Sequence, residues 1–138
     1  MYLIDTNVVS EIRKRSKANK GVVAFFRQAA QDDAGLYLSV VTVGDLRRGI
    51  DLTRNRGDKA QAVRLEGWLS GVLREFGNHV LAVDEEISQV WGRLRVPNHD
   101  HDLDNLIAAT ALIHDLTVVT RNVDDFVGTG VRLLNPFD

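Results

Sequence analysis

With 138 residues and 44% hydrophobic content, the chain is sized for one domain whose core needs no covalent staples. It has no cysteine, which excludes disulfides, thiolate zinc sites and a cysteine nucleophile and fits a reducing cytoplasm. Its 17 Lys and Arg against 19 Asp and Glu leave a net charge of −2, so the chain is not one that coats nucleic acid by bulk charge.

The first segment, 2–4, reads as a strand and runs straight into Asp5-Thr6-Asn7. An acid this early leaves no room for a signal-peptide apolar region, and no stretch approaches the ~18 apolar residues of a membrane span, so an unexported cytoplasmic protein with no membrane contact is expected. Residues 13–20, with Arg13, Lys14, Arg15, Lys17 and Lys20, read as a flexible basic loop. Val22, Phe26 and Ala29 then recur at helical spacing before a second strand at 36–39. Val43, Leu46 and Ile50 predict the next helix, with a second basic patch at Arg47, Arg48, Arg54 and Arg56. A long helix follows through Ala62, Leu65, Leu69, Val72 and Phe76, ended by Gly77-Asn78. A strand at 80–83 precedes a helix through Ile87, Val90, Trp91 and Leu94, which Pro97 closes. After a polar loop at 98–102, Leu103, Ile107 and Ala111 mark the last helix, and strands follow at 117–120 and 131–134. Trp68 and Trp91 lie on apolar helical faces, where packing is expected in preference to base stacking. This alternation predicts a single α/β domain over 1–138, with a central, mostly parallel sheet of about five strands flanked by helices.

In such sheets ligands bind beyond the carboxyl ends of the strands. The residues that follow the strands here are Asp5-Thr6-Asn7, then Ser39 with Thr42 and Asp45, then Thr120-Arg121-Asn122 with Asp124-Asp125, while Asp104 opens the last helix. Right-handed crossovers bring these positions to one edge. Each acid also has a local explanation as a helix cap: Asp5 for the helix near Asn7, Thr42-x-x-Asp45 as a capping-box variant, and Asp102 or Asp104 for the last helix. Capping does not account for the recurrence of acids at the ends of non-adjacent elements. Clustered carboxylates raise one another's pKa unless a cation neutralises them, and oxygen-only donors suit a hard ion, Mg²⁺ or Mn²⁺. An ion so held suits hydrolysis of a phosphodiester by activated water. The expected metal ligands are Asp5 and Asp104; Asp45 positions the water or acts as base, and Asn122, with Asp125, completes the site. The separated basic patches are either solvated faces or guides for nucleic-acid phosphates.

At these residues the chain resembles the PIN-domain ribonucleases, and within them the VapC toxins of bacterial toxin–antitoxin pairs, particularly the FitB-like branch. The matching segments include Ile4-Asp5-Thr6-Asn7, Thr42-Val43-Gly44-Asp45-Leu46, Asp104-Asn105-Leu106-Ile107-Ala108-Ala109, Val119-Thr120-Arg121-Asn122, Asp125-Phe126 and the closing Leu134-Asn135-Pro136-Phe137. The resemblance runs from end to end and implies a metal-dependent endoribonuclease toxin with Asp5, Asp45, Asp104 and Asn122 at the site. It also implies a homodimer, a VapB- or FitA-like antitoxin that blocks the site, operator DNA reached only through that antitoxin, and structured RNA such as tRNA as target. Two departures stand out: Asp45 occupies a position where Glu is expected, and the fourth position is the uncharged Asn122, which leaves Asp125 to supply a carboxylate.

Other readings fit less well. A receiver-like domain needs a Lys after its last strand, where this chain has Leu133, Leu134 and Asn135. His99-Asp100-His101 does not continue as a metallo-β-lactamase motif, since position 103 is Leu, so these histidines are expected to be loop residues. A dinucleotide fold lacks its glycine fingerprint. The non-enzyme alternative is an inactive PIN-fold regulatory subunit that binds an antitoxin and operator DNA.

Overall fold

The computed structural model describes residues 1–138. In chain order it comprises β1 (Tyr2–Ile4), α1 (Thr6–Ile12), α2 (Lys20–Gln31), β2 (Leu36–Ser39), α3 (Val40–Asn55), α4 (Lys59–Phe76), β3 (Val80–Leu81), α5 (Glu85–Leu94), α6 (Asp102–His114), β4 (Thr117–Val119) and β5 (Leu133–Leu134). The five strands form one sheet in the order β3-β2-β1-β4-β5, and every neighbouring pair is parallel. The α/β expectation holds, with a fully parallel sheet in place of a mostly parallel one. The edge strands β3 and β5 are shorter than the apolar runs that announced them. Each has one neighbour to pair with, and Asp84 already caps α5 by accepting from Ile87 N.

Strand alternation divides the core between two faces. Ile4 and Val119 point to one side and pack with Val8, Val9, Val22, Leu38, Leu46 and Leu69. Leu3 and Val118 point to the other and pack with Ile107, Ala108, Ala111, Leu116 and Phe126. The alanines of α6 are buried, and their small side chains let this helix lie close to the sheet.

β1 is the centre of the sheet and the point where the chain changes direction. The path from β1 leads to β2 and β3 on one side, whereas β4 and β5 extend the sheet on the other. A crevice opens at such a reversal, outside the carboxyl ends of the two diverging strands. Here those strands are β1 and β4, paired Ile4 to Val119, so one residue further on Asp5 faces Thr120. By the same alternation both side chains fall on the α6 side.

Several local expectations need correction. Residues 13–20 hold a 3₁₀ turn at Arg15–Lys17 and the start of α2. The buried Glu11 carboxylate ties this turn down by accepting from Lys14 Nζ and from Asn19 N, both at 2.8 Å. The Thr42–Asp45 capping box does not form, because α3 starts three residues earlier with Ser39 as its cap, accepting from Val41 N at 3.0 Å. Neither Asp102 nor Asp104 caps α6: His101 holds that position in a left-handed conformation, φ 58° and ψ 48°, without a side-chain cap bond. No helix is long and apolar enough to cross a membrane.

Candidate active site

Asp5 is both a cap and a functional-site candidate. Its Oδ1 accepts from Thr6 N at 2.8 Å at the start of α1, while Oδ2 accepts from Thr120 Oγ1 at 2.8 Å and Asn7 Nδ2 at 3.2 Å. Only 5% of the residue is exposed, and burial is the main reason its carboxyl is raised above the ordinary value. The Thr120, Thr6 and Asn7 donors pull in the opposite direction, and the charge of Asp45 adds to the rise.

Thr120 is the hub of this corner. Its hydroxyl donates to Asp5 and accepts from Asn7 Nδ2 at 3.3 Å and from Asn122 N at 3.0 Å. Asn7 Oδ1 in turn accepts from Arg121 N at 3.0 Å, so the segment after β1 and the segment after β4 are laced together. Asp45, one turn into α3, joins through Thr6, whose Oγ1 donates to Asp45 Oδ2 at 3.2 Å.

Asp104 sits in the first turn of α6, with its carboxyl pushed up to about 6. Burial is the largest cause, followed by the charges of Asp5 and Asp125; His101 works in the opposite direction, and Asp45 adds a smaller push upward. His101 Nδ1 lies 3.9 Å from Asp104 Oδ2 and 3.8 Å from Asp125 Oδ1, and one ligand atom from each of the three residues falls within 4.8 Å of the others. The loop before α6 is fixed from behind: Arg95 grips Asp102 through Nε at 3.1 Å and Nη2 at 3.3 Å, Trp91 Nε1 donates to Asp102 O at 2.9 Å, and Asn105 Nδ2 donates to Asp100 O at 3.1 Å.

Of the residues singled out from the sequence, Asp5, Asp45 and Asp125 are thus all brought within electrostatic reach of Asp104, and Asp45 within reach of Asp5. Asn122 is not part of that set by its side chain, which is exposed; its contribution is the backbone N–H to Thr120. Asp125 supplies the carboxylate on that side. Two residues escaped sequence reasoning. Thr120 was visible only as a polar residue after a strand, and its role depends on the β1–β4 register. His101, read as a loop residue, does lie in the loop, but the left-handed turn before α6 points it at the acids.

The basic patches divide in the same way. Arg13 lines a cavity of about 320 Å³ beside Asp45, together with Thr6, Ser10, Thr53 and Trp68. Arg47 and Arg54 are committed to Glu66, at 3.1 and 2.6 Å, and so are largely spent on tying α3 to α4. The largest cavity, about 510 Å³, is apolar and lies by Gly35 and Leu36, at the opposite end of the strands from the acids. A second cavity of about 500 Å³ by Asp84 and Glu85 matches it in size, so size does not choose between them; the raised carboxyls of Asp5 and Asp104 select the β1–β4 crevice.

The model of the PIN domain family matches residues 2–129, a span that takes in all of these acids. The chain belongs to the PIN domain family. This PIN domain is 35% identical over 142 residues to Toxin FitB of Neisseria gonorrhoeae, with 99% of each chain covered. It is 33% identical over 146 residues to VapC ribonuclease Y4jK of Sinorhizobium fredii, covering 100% of this chain and 99% of that one. Its fold superposes on the crystal structure of FitAcB from Neisseria gonorrhoeae with a TM-score of 0.85 and 33% identity, over 99% of this chain and 98% of that one.

The donor set of this PIN domain fits a divalent cation. Apart from one imidazole, the donors are carboxylate oxygens, and Asp104, raised first by burial, is raised further by the charges of Asp5, Asp125 and Asp45. A hard cation relieves that repulsion without requiring further protein charge.

Proposed function

We propose that this chain is the toxin of a bacterial type II toxin–antitoxin pair and acts as a divalent-metal-dependent endoribonuclease, with 1–138 forming one PIN domain. The observation that carries this reading is Asp104, half-buried and raised to about 6 by burial and by the charges of Asp5, Asp125 and Asp45. The naming of a relative 33% identical along its whole length as a VapC ribonuclease supports it.

In this mechanism Asp5 and Asp104 hold the ion, Mg²⁺ or Mn²⁺. When bound, the ion lowers the pKa of a water and offsets charge on the phosphoryl group. Thr120 and Asn7 fix the Asp5 carboxylate by donating to its Oδ2. Asp45 orients the attacking water and takes its proton as the new P–O bond forms and the bond to the leaving ribose oxygen breaks. Asp125 completes the acidic wall, with Asn122 shaping the loop that presents it. Arg13, in the cavity adjoining Asp45, accompanies the RNA backbone.

The partners follow from the same reading. Structured RNA such as tRNA is the substrate, a second copy of the chain forms the homodimer, and a VapB- or FitA-like antitoxin covers the site in the cytoplasm. Operator DNA is reached through that antitoxin, in keeping with a net charge of −2. Purified protein is expected to cut an RNA panel with Mg²⁺ or Mn²⁺ and to lose at least about 100-fold in rate in Asp5→Asn and Asp104→Asn. Cleavage that survives chelation, or that both substitutions leave intact, overturns the proposal. The alternative, a regulatory subunit inactivated by the Asp45 and Asn122 changes, is disfavoured by the Asp125 carboxylate, whose charge acts on Asp104 where Asn122 brings none.

A further inference from the structure

Resting on the metal-dependent reading above, we propose that His101 is a nitrogen ligand of the same ion, together with Asp104 and Asp125, and biases the site toward Mn²⁺ over Mg²⁺. Nothing in the acid chemistry requires a histidine here. Yet Nδ1 stands almost equidistant from Asp125 Oδ1, at 3.8 Å, and Asp104 Oδ2, at 3.9 Å, and the three donors fit within 4.8 Å. Donors about 2.1 Å from a common ion lie about 3 Å apart when adjacent and about 4.2 Å apart when opposed. The His101 spacings of 3.8 and 3.9 Å fall between those two values.

The backbone prepares the position. His101 O accepts from Asn105 N at 2.9 Å, and the Arg95–Asp102 and Trp91–Asp102 bonds clamp the following residue. His99, in the same loop, belongs to no such cluster. The competing role for His101 is that of a mere countercharge, an imidazolium that shields the acids when no ion is bound. That role makes opposite predictions. A countercharge competes with any cation, so its removal strengthens Mg²⁺ and Mn²⁺ binding alike. A ligand contributes to Mn²⁺ far more than to Mg²⁺, which prefers oxygen donors and retains its waters.

The test uses the full chain without a polyhistidine tag and needs no RNA. Pulsed electron paramagnetic resonance of the Mn²⁺-loaded protein is expected to show imidazole-type nitrogen coupling that persists in His99→Ala and disappears in His101→Ala and His101→Gln. Calorimetry on the same proteins is expected to show the Mn²⁺-to-Mg²⁺ affinity ratio falling by about tenfold when His101 is replaced. The glutamine variant keeps a polar side chain at the left-handed position, and circular dichroism verifies that both variants are folded. Mn²⁺ that binds, is lost in Asp104→Asn, and shows no nitrogen coupling overturns the His101 proposal while leaving the metal-dependent function standing. Tighter binding of both ions after His101→Ala does the same. Failure of the unmodified chain to bind Mn²⁺ at all overturns both.

Discussion

If the acids are held together for a cation, removing one of them should stabilise the metal-free protein. Asp104→Asn is the sharpest perturbation. Moving this carboxyl from its ordinary 3.8 to about 6 corresponds to about 3 kcal/mol of unfavourable free energy when it is ionised. The group is only half-buried, so solvent screening reduces this to about 1–2 kcal/mol. The charge also lies in the first turn of α6, where its loss costs about 0.5 kcal/mol of helix-dipole stabilisation. The net expectation is a gain of about 1 kcal/mol at pH 8 in chelator, or roughly 3–5 °C in Tm.

The pH dependence fixes the sign. The folded state holds this proton more tightly than the unfolded chain, so the contribution of Asp104 to stability is fully present below 3.8 and is lost as pH rises through about 6. The advantage of Asp104→Asn should therefore vanish near pH 4 and reach its full value above pH 7. Saturating ion reverses the order, since a ligand at about 100 times its Kd adds about 2.7 kcal/mol to the unmodified protein alone. Urea unfolding of both proteins across this pH range, with chelator and with Mn²⁺, reads all three effects. A variant less stable than the parent at pH 8 in chelator would refute the argument: it would mean that Asp104 is a structural carboxylate with a favourable partner.

Thr120→Val removes the hydroxyl that donates to Asp5 and accepts from Asn7 and Asn122, at a cost of about 1–3 kcal/mol by denaturant unfolding. Because this donor lowers the Asp5 pKa, the acid limb of the RNA-cleavage pH profile should also shift upward; an unmoved limb refutes the link. Asp45→Glu should retain or raise RNA cleavage, since the adjoining cavity of about 320 Å³ admits the extra methylene; complete loss would show that the site is built around the shorter side chain. Gly21→Ala should free the C-terminal residues. A Cβ there would lie 2.2 Å from Pro136 O, and Asn19 Oδ1 binds both Gly21 N and Asp138 N, so faster amide exchange and proteolysis at 136–138 are expected.

Much of this protein is written in local pattern. The strands at 2–4 and 36–39, the long helix ending at Gly77 and the polar residues at the ends of the first, second and fourth strands follow from residue periodicity and turn chemistry, because these depend on neighbours in the chain. The convergence of Asp5, Asp45 and Asp104 was legible as a consequence of crossover handedness. Capping was the local reading that misled: Thr42 and Asp45 match a capping box in sequence, yet Ser39 starts the helix earlier and leaves Thr42 buried, its hydroxyl without a hydrogen-bond partner. Other features depend on contacts between residues far apart in the chain. Thr120 meets Asp5 because β1 and β4 pair in one register, and a slip of one residue would turn both side chains to the opposite face. Asp125, in preference to Asn122, joins Asp104 because of how the turn after β4 packs on α6, and Arg47 and Arg54 are drawn away from RNA by Glu66 on a separate helix. Sequence periodicity says which face a residue occupies; only packing of the elements says which partner waits there.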